Sequence, residues 1–470
     1  PMSLENVRAS LEAGRLAPFV PAFRLPDARL EAEGLGPLLM EGSLQDGKAV
    51  LSVRGEKTGL LAMLSREGGP LEGWTPRGDD QVNIQAEKDG SGDWTCSLRV
   101  DLRGVAFENE DVEAFGEEIA VSLDADARIE GGRVLLVEPL SVSASTGELL
   151  VDRFYLNLKS QPVTVNARAK IRPGPVRIDD LDIDAAIGRT LSVRGSGVIE
   201  KGDENLRTRL ALSIPVFSLE PVFRLFVKEP FRRELPVLEE THLEGQASAS
   251  LQLTANETGF LVSGEARIQG SDLMVWEPGL SLEGLDLTLP IRYGTLPGEG
   301  REGALRGRLA IRKMEVPFLP EQSLVLPLEA ARNRLRVTNP TEIAIPGGDL
   351  RLGPLDLEHD LEKGLTMETS LRLEEMDLEP LLGLIWSKSP EGRISGTLTS
   401  IRYHQGRLTS RGTLEARGFD GEVTLENLGA SGLFTASPVY RLDAHWRGLS
   451  LKEMTEGTAM TRIERVMERM

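Results

Sequence analysis

Residues Met376–Leu428 read MDLEPLLGLIWSKSPEGRISGTLTSIRYHQGRLTSRGTLEARGFDGEVTLENL. A short helix-like segment opens the stretch, with Asp377 placed to cap it and Leu378, Leu381, Leu382 and Ile385 on one side. Short strands follow between Gly-centred turns: Arg393–Ser400, Leu408–Arg417 and Glu422–Leu428. The same plan occurs about 160 residues earlier, and a repeat at such a period decides architecture. Ser218-Leu219-Glu220-Pro221-Val222-Phe223 parallels Asp377-Leu378-Glu379-Pro380-Leu381-Leu382, and Leu243-Glu244-Gly245 parallels Ile394-Ser395-Gly396. Ser263-Gly264 with Gly270 parallels Arg411-Gly412 with Gly418, and Gly279–Leu285 parallels Gly421–Leu428. Leu449–Met454 opens like a third copy. Matches kept in one order predict units added along one direction.

Outside this stretch the hydrophobic period is two almost everywhere. Gln81–Glu87, Trp94–Leu102, Glu117–Ile129, Glu148–Leu158, Val163–Ile171 and Val176–Ile183 read as strands, as do Leu206–Ile214, Leu243–Thr254, Phe260–Gln269 and Leu350–Leu357. Gly68–Asp80 reads as a loop, and Gly59–Leu64 is too short to assign. In Leu280–Ile291 the alternation slips by one at Glu283-Gly284, which predicts a bulge or bend. Helical spacing is confined to Ser3–Ala13, Leu219–Val227, Leu378–Trp386 and the C-terminal tail. Roughly 25 to 35 strands result, spaced as in all-β folds. Strands that alternate have one apolar and one polar face, whereas a parallel sheet covered on both sides shows continuous apolar runs. Helices are too few to cover the apolar face, so the sheet rolls onto itself as a barrel, a sandwich or a curved trough.

Composition narrows the function. The 470 residues are 40% hydrophobic but only 5% aromatic, so the apolar surface is aliphatic. A net charge of −19 argues against a nucleic-acid partner, which needs clustered Lys and Arg. Cys96 is the only cysteine, so neither an intrachain disulfide nor a Cys-based metal site forms. No run of 18 apolar residues is present. Pro1-Met2-Ser3 reads as a cloning scar ahead of a fragment, so targeting or anchoring segments are expected to lie outside this sequence.

Enzyme constellations are missing from the sequence. His242, His359, His404 and His445 are isolated and fit surface or turn positions. Neither a nucleophile elbow, a P-loop nor a dinucleotide fingerprint occurs. Asp182 with Asp184 and Glu374 with Glu375 are pairs of a kind common on acidic strand faces. Trp74, Trp94, Trp276, Trp386 and Trp446 are too dispersed for a sugar-stacking platform. No catalysis, metal or cofactor is expected.

Several patches resemble the C-terminal region of the AsmA-like superfamily, and within it the YdbH branch, a relative of TamB. They are Leu378–Leu382, Gly392–Gly396, Gly418–Gly421 and Leu449–Thr455, with Asp101–Phe107, Gly147–Val151 and Phe154–Leu156 matching an earlier part of such proteins. Met460–Glu464 lacks two glycines of the family pattern, so the end is expected to be truncated or altered. The resemblance implies a β-groove in the Gram-negative periplasm, anchored in the inner membrane. It also implies movement of phospholipids towards the outer membrane, and a small outer-membrane lipoprotein or outer-membrane protein pairing with a sheet edge. An envelope assembly module, a structural β-rod and a glycan-processing solenoid are the rival readings.

Alternation alone is equally compatible with a closed core and an open trough. The resemblance and the scarcity of aromatic fillers favour the trough. The expected fold is an all-β, elongated, twisted antiparallel β-groove with a few short helices, about 120–170 Å long at the usual strand spacing. Its parts are an N-terminal helical segment (1–23), a first groove portion (24–217), two AsmA-like repeats (218–375 and 376–448) and a helical tail (449–470). The expected lining is Leu191, Val193, Leu210, Leu212, Ile214, Leu251, Leu253, Leu280, Leu282, Leu287, Leu289 and Ile291. It continues through Leu309, Ile311, Leu335, Val337, Leu350, Leu352, Leu365, Met367, Leu371, Leu373, Val423 and Leu425.

Overall fold

A computed structural model describes residues 23–449, apart from 31–37, 46–47, 58, 66–72, 89–91, 110–112, 131–132, 137–138, 173–175, 202–205, 277–278, 297–302, 318, 361–363, 380–390, 419 and 433–437. The expected N-terminal helix, the segment Leu378–Trp386 beyond Glu379, and the C-terminal tail lie outside the described residues.

The protein is all-β and antiparallel. Its first compact unit comprises 1–217, 224–230 and 250–260, and its second 218–223, 231–249 and 261–470. The first unit carries β1 (Phe23–Leu30), β2 (Leu38–Gln45), β3 (Lys48–Glu56), β4 (Arg77–Lys88), β5 (Trp94–Asn109), β6 (Ala114–Glu130) and β7 (Arg133–Leu136). It continues with β8 (Leu140–Val151), β9 (Phe154–Asn157), β10 (Val163–Arg172), β11 (Val176–Ile187), β12 (Leu191–Lys201) and β13 (Leu206–Ser218). Strand β14 (Thr241–Asn256) is divided between the units, and the last residue of β13, Ser218, and the first two of β15, Gly259 and Phe260, also fall across the boundary. The second unit carries β15 (Gly259–Val275), β16 (Leu280–Gly294), β17 (Leu305–Glu315), β18 (Gln322–Ala331), β19 (Arg334–Val337) and β20 (Thr341–Ile345). Then follow β21 (Gly348–Leu352), β22 (Leu355–Asp360), β23 (Gly364–Asp377), β24 (Gly392–His404), β25 (Arg407–Gly418), β26 (Gly421–Ser431) and β27 (Val439–Arg447). The boundary read at 375/376 falls inside β23.

Helices are short. The unassigned segment forms α1 (Leu60–Leu64), and the predicted helical interruption forms α2 (Leu219–Phe223), a π turn (Arg224–Lys228) and α3 (Glu229–Phe231). No helix among the described residues is long and apolar enough to cross a membrane.

Two stretches read as single strands are hairpin arms or separate strands. Glu148–Leu158 contains the turn Asp152-Arg153, with Asp152 at φ 53° and Val151 paired to Phe154. Apolar residues on both sides of that turn hid it. Leu350–Leu357 breaks at Gly353-Pro354, because Pro354 lacks the N–H a ladder needs. Strand β4 begins at Arg77, inside the stretch read as a loop.

The slip at Glu283-Gly284 is a β-bulge. Leu273 pairs with Leu282 and Ser271 with Leu285, leaving one extra residue on β16. Gly284 takes φ +62°, and its N–H donates to Asp272 Oδ1 at 2.7 Å. A second bulge at Gly270 on β15 compensates, its N–H donating to Asp286 Oδ1 at 2.9 Å. The pair keeps Leu280 and Leu282 on the same face as Leu285–Ile291 despite the change of phase.

Each unit has a small packed core. In the first, Leu61 of α1 packs with Val105, Ile119 and Leu158. In the second, Ile345, Leu373, Met376, Leu378 and Ile394 are buried together.

Candidate functional site

In an antiparallel ladder, residues directly opposite share one face of the sheet. Followed strand to strand, the register of the first unit gives an uninterrupted row: Leu38, Gly55, Val82, Val100, Leu123, Val142, Val165, Ala185 and Val193. The row on the other face is Arg54, Asn83, Arg99, Asp124, Ser141, Asn166, Asp184, Arg194 and Ser213. A period of two in every strand and a register that holds across the ladder sort the residues into two faces.

The second unit repeats the arrangement. One apolar row runs Leu305, Ala330, Leu335, Leu357, Met367, Tyr403, Leu408, Ala430 and Tyr440. A second runs Ile343, Leu350, Leu373, Gly396, Leu414, Leu425 and Ala444. Between β15 and β18, Ile268, Leu287, Leu309 and Leu326 form a further row. The opposite face reads Glu342, Arg351, Arg372, Thr397, Thr413, Glu426 and Asp443. At about 4.8 Å per strand, a nine-strand row is about 40 Å long.

These apolar residues are mostly half-buried. Of the expected lining, Ile311, Val337 and Leu373 are buried at 5%, 8% and 7% exposure, and Leu365 is 47% exposed. The remaining twenty, from Leu191 to Leu425, are half-buried. Leu287 meets Leu309, Leu352 meets Leu371, and Leu335 and Met367 flank Leu357. Leu365 stands apart, opposite His359 at a strand end. Leu350, Leu371 and Leu425 pack against the buried Leu373 cluster, so at that place the strip is a local core. The first-unit row from Val82 to Val165 was missed, although Gln81–Glu87 and Trp94–Leu102 carry the same alternation.

No protein-family model matches the chain, and no curated protein matches it.

Ion pairs line the polar face, some across strands and some along one strand. Arg99 Nε lies 2.5 Å from Asp124 Oδ1, and Lys313 Nζ lies 2.7 Å from Glu315 and 3.3 Å from Glu283. Hydrogen bonds to Glu315 and Glu283 push the Lys313 ammonium above its usual range. The Arg177 hydrogen bond holds the Asp179 carboxyl below its usual range, and the Arg393 and Ser395 hydrogen bonds do the same for Glu375. Ion pairs at a solvated surface of this kind contribute little stability each. The paired carboxylates are engaged: Asp184 faces Arg194 at 3.8 Å, and Glu374 meets Arg372 at 2.7 Å. His359 Nδ1 is 3.0 Å from the Tyr293 hydroxyl, and His404 Nδ1 is 3.3 Å from Thr366 Oγ1. Among the described residues, no three His, Cys, Asp or Glu are grouped to hold a metal ion.

Proposed function

We propose that this protein carries phospholipids by their acyl chains along the apolar strand faces, between the inner and outer membranes of a Gram-negative periplasm. The observation that supports this most is the pair of nine-strand rows, mainly aliphatic and mainly half-buried. Each methylene withdrawn from water is worth about 0.8 kcal/mol, so two acyl chains cost on the order of 20 kcal/mol or more to expose. A continuous aliphatic strip lowers that barrier without a specific pocket, and no catalytic step is required. Buried residues such as Ile311, Val337 and Leu373 then serve as the floor of the strip, and their half-buried neighbours meet the guest. The likeness of Leu378–Leu382 and Gly392–Gly396 to the AsmA-like, YdbH-type pattern fits this reading. It also suggests a membrane anchor elsewhere in the full protein and a partner strand at a sheet edge. Among the described residues β27 pairs with β26.

Mass spectrometry of lipids that accompany the protein through a detergent-free purification tests the proposal. Phospholipid at one or more molecules per chain is expected. A lipid-free protein that takes up none from vesicles would overturn it.

A further inference from the structure

The first unit holds a cavity of about 510 Å³ whose walls include Arg177 of β11, Val198 and Glu200 of β12, Arg207 and Arg209 of β13, and Gln252 of β14. Register places Arg177, Glu200 and Arg207 in one cross-strand row, with Val198 opposite Arg209. The side chains of Arg177, Val198, Glu200, Arg207 and Arg209 share one face, opposite the one that carries Leu210 and Leu212.

Glu200 is paired with Arg177, Oε1 to Nη1 at 2.8 Å, and Arg177 Nε also donates to Asp179 at 2.6 Å. Arg207 and Arg209 have no acidic partner among the described residues. In a chain of net charge −19, two unmatched guanidiniums at one cavity invert the local sign. The two stand two residues apart on one strand face, about 7 Å from each other. A carboxylate is filled by one guanidinium fork, whereas a phosphate has oxygens enough for two. The volume suits a small ligand, and Val198 adds an apolar wall.

We propose that this cavity binds a phosphate ester gripped between Arg207 and Arg209. The ester is carried either by a soluble molecule or by a phospholipid headgroup. The two guanidiniums lie on the face away from the Leu210 and Leu212 side chains, while Leu210 and Leu253 also border the cavity. Loss of binding in the arginine variants therefore tests the site separately from lipid carriage along the aliphatic rows.

Isothermal titration of the full chain with sn-glycerol 3-phosphate, and separately with dihexanoyl phosphatidylglycerol below its micelle concentration, tests the site. Saturable binding of at least one probe is expected, weakening with added salt. The Arg207→Gln/Arg209→Gln variant should lose about tenfold or more in affinity, as charge-assisted contacts disappear. Arg207→Lys/Arg209→Lys keeps the charge without the forks and should recover only part. Both positions are exposed, and far-UV circular dichroism checks that the variants fold. Binding of both probes assigns the site to phosphate esters at large, and binding of the lipid alone assigns it to the headgroup. No saturation by either probe, or a Gln variant that binds both as the parent does, overturns the proposal.

Discussion

Gly396 and Gly412 lie on neighbouring strands, β24 and β25, at φ +153° and +122°. A Cβ on Gly396 would meet the carbonyl oxygen of Thr413, and one on Gly412 that of Thr397. The strands approach so closely there that only glycine fits. Their counterparts in the repeat, Gly245 and Gly264, take φ +126° and +149°. The sequence made these glycines legible as matched positions, but not their reason, because a close backbone approach is a property of two strands and leaves no mark on either. Gly412→Ala should therefore cost about 2–3 kcal/mol, combining backbone strain with a steric clash. Gly270→Ala, where the added Cβ meets open space, should cost about 1 kcal/mol. Urea midpoints of the two variants check the order, and equal shifts would show that the approach at Gly412 relaxes freely.

Strand β16 shows how far an element can be read before its neighbours are known. Its slip of phase at Glu283-Gly284 was visible in the sequence, since a one-residue change of alternation needs a bulge to keep one face apolar. The compensating bulge at Gly270 was not, because the β15 alternation runs smoothly up to it. Hairpins were legible where glycine marked them, as at Gln405-Gly406 between His404 and Arg407. The Asp152-Arg153 turn was hidden between apolar residues. Leu289 sits beyond the β16 bulge, opposite Ala266 and half-buried. Leu289→Arg puts a charge on the apolar face while its long stem reaches towards solvent. Lipid recovered with the protein should fall severalfold, with hydrogen-exchange protection in β4–β6 unchanged. Unaltered lipid recovery in a folded variant would remove β16 from the carrying surface.

Across the whole chain, binary alternation carried most of the fold. It pointed to strands, antiparallel pairing and one apolar face per strand, whereas the register that aligns those faces across the sheet came from the structure. It could not say where the apolar face packs on itself. Ile345, Met376 and Ile394 alternate no differently from Leu309 or Leu425, yet the first three are buried together. The expected lining began at Leu191 and omitted Val82, Val100, Leu123, Val142 and Val165, although the ladder joins them to Val193 in one row. That omission sets the last prediction. If the apolar face carries acyl chains, it does so in both units, since both present rows of mainly aliphatic, mainly half-buried residues. A photo-crosslinking residue placed at Leu123, Val165, Met367 or Leu408 should trap phospholipid when the protein is irradiated in lipid-loaded form. The same residue at Asn83, Ser141, Arg372 or Thr413, on the opposite face, should trap none. Mass spectrometry of the adducts separates the outcomes. Adducts confined to the second unit would restrict carriage to the strands from β15 onward, and adducts equal on both faces would show that the lipid merely coats the protein.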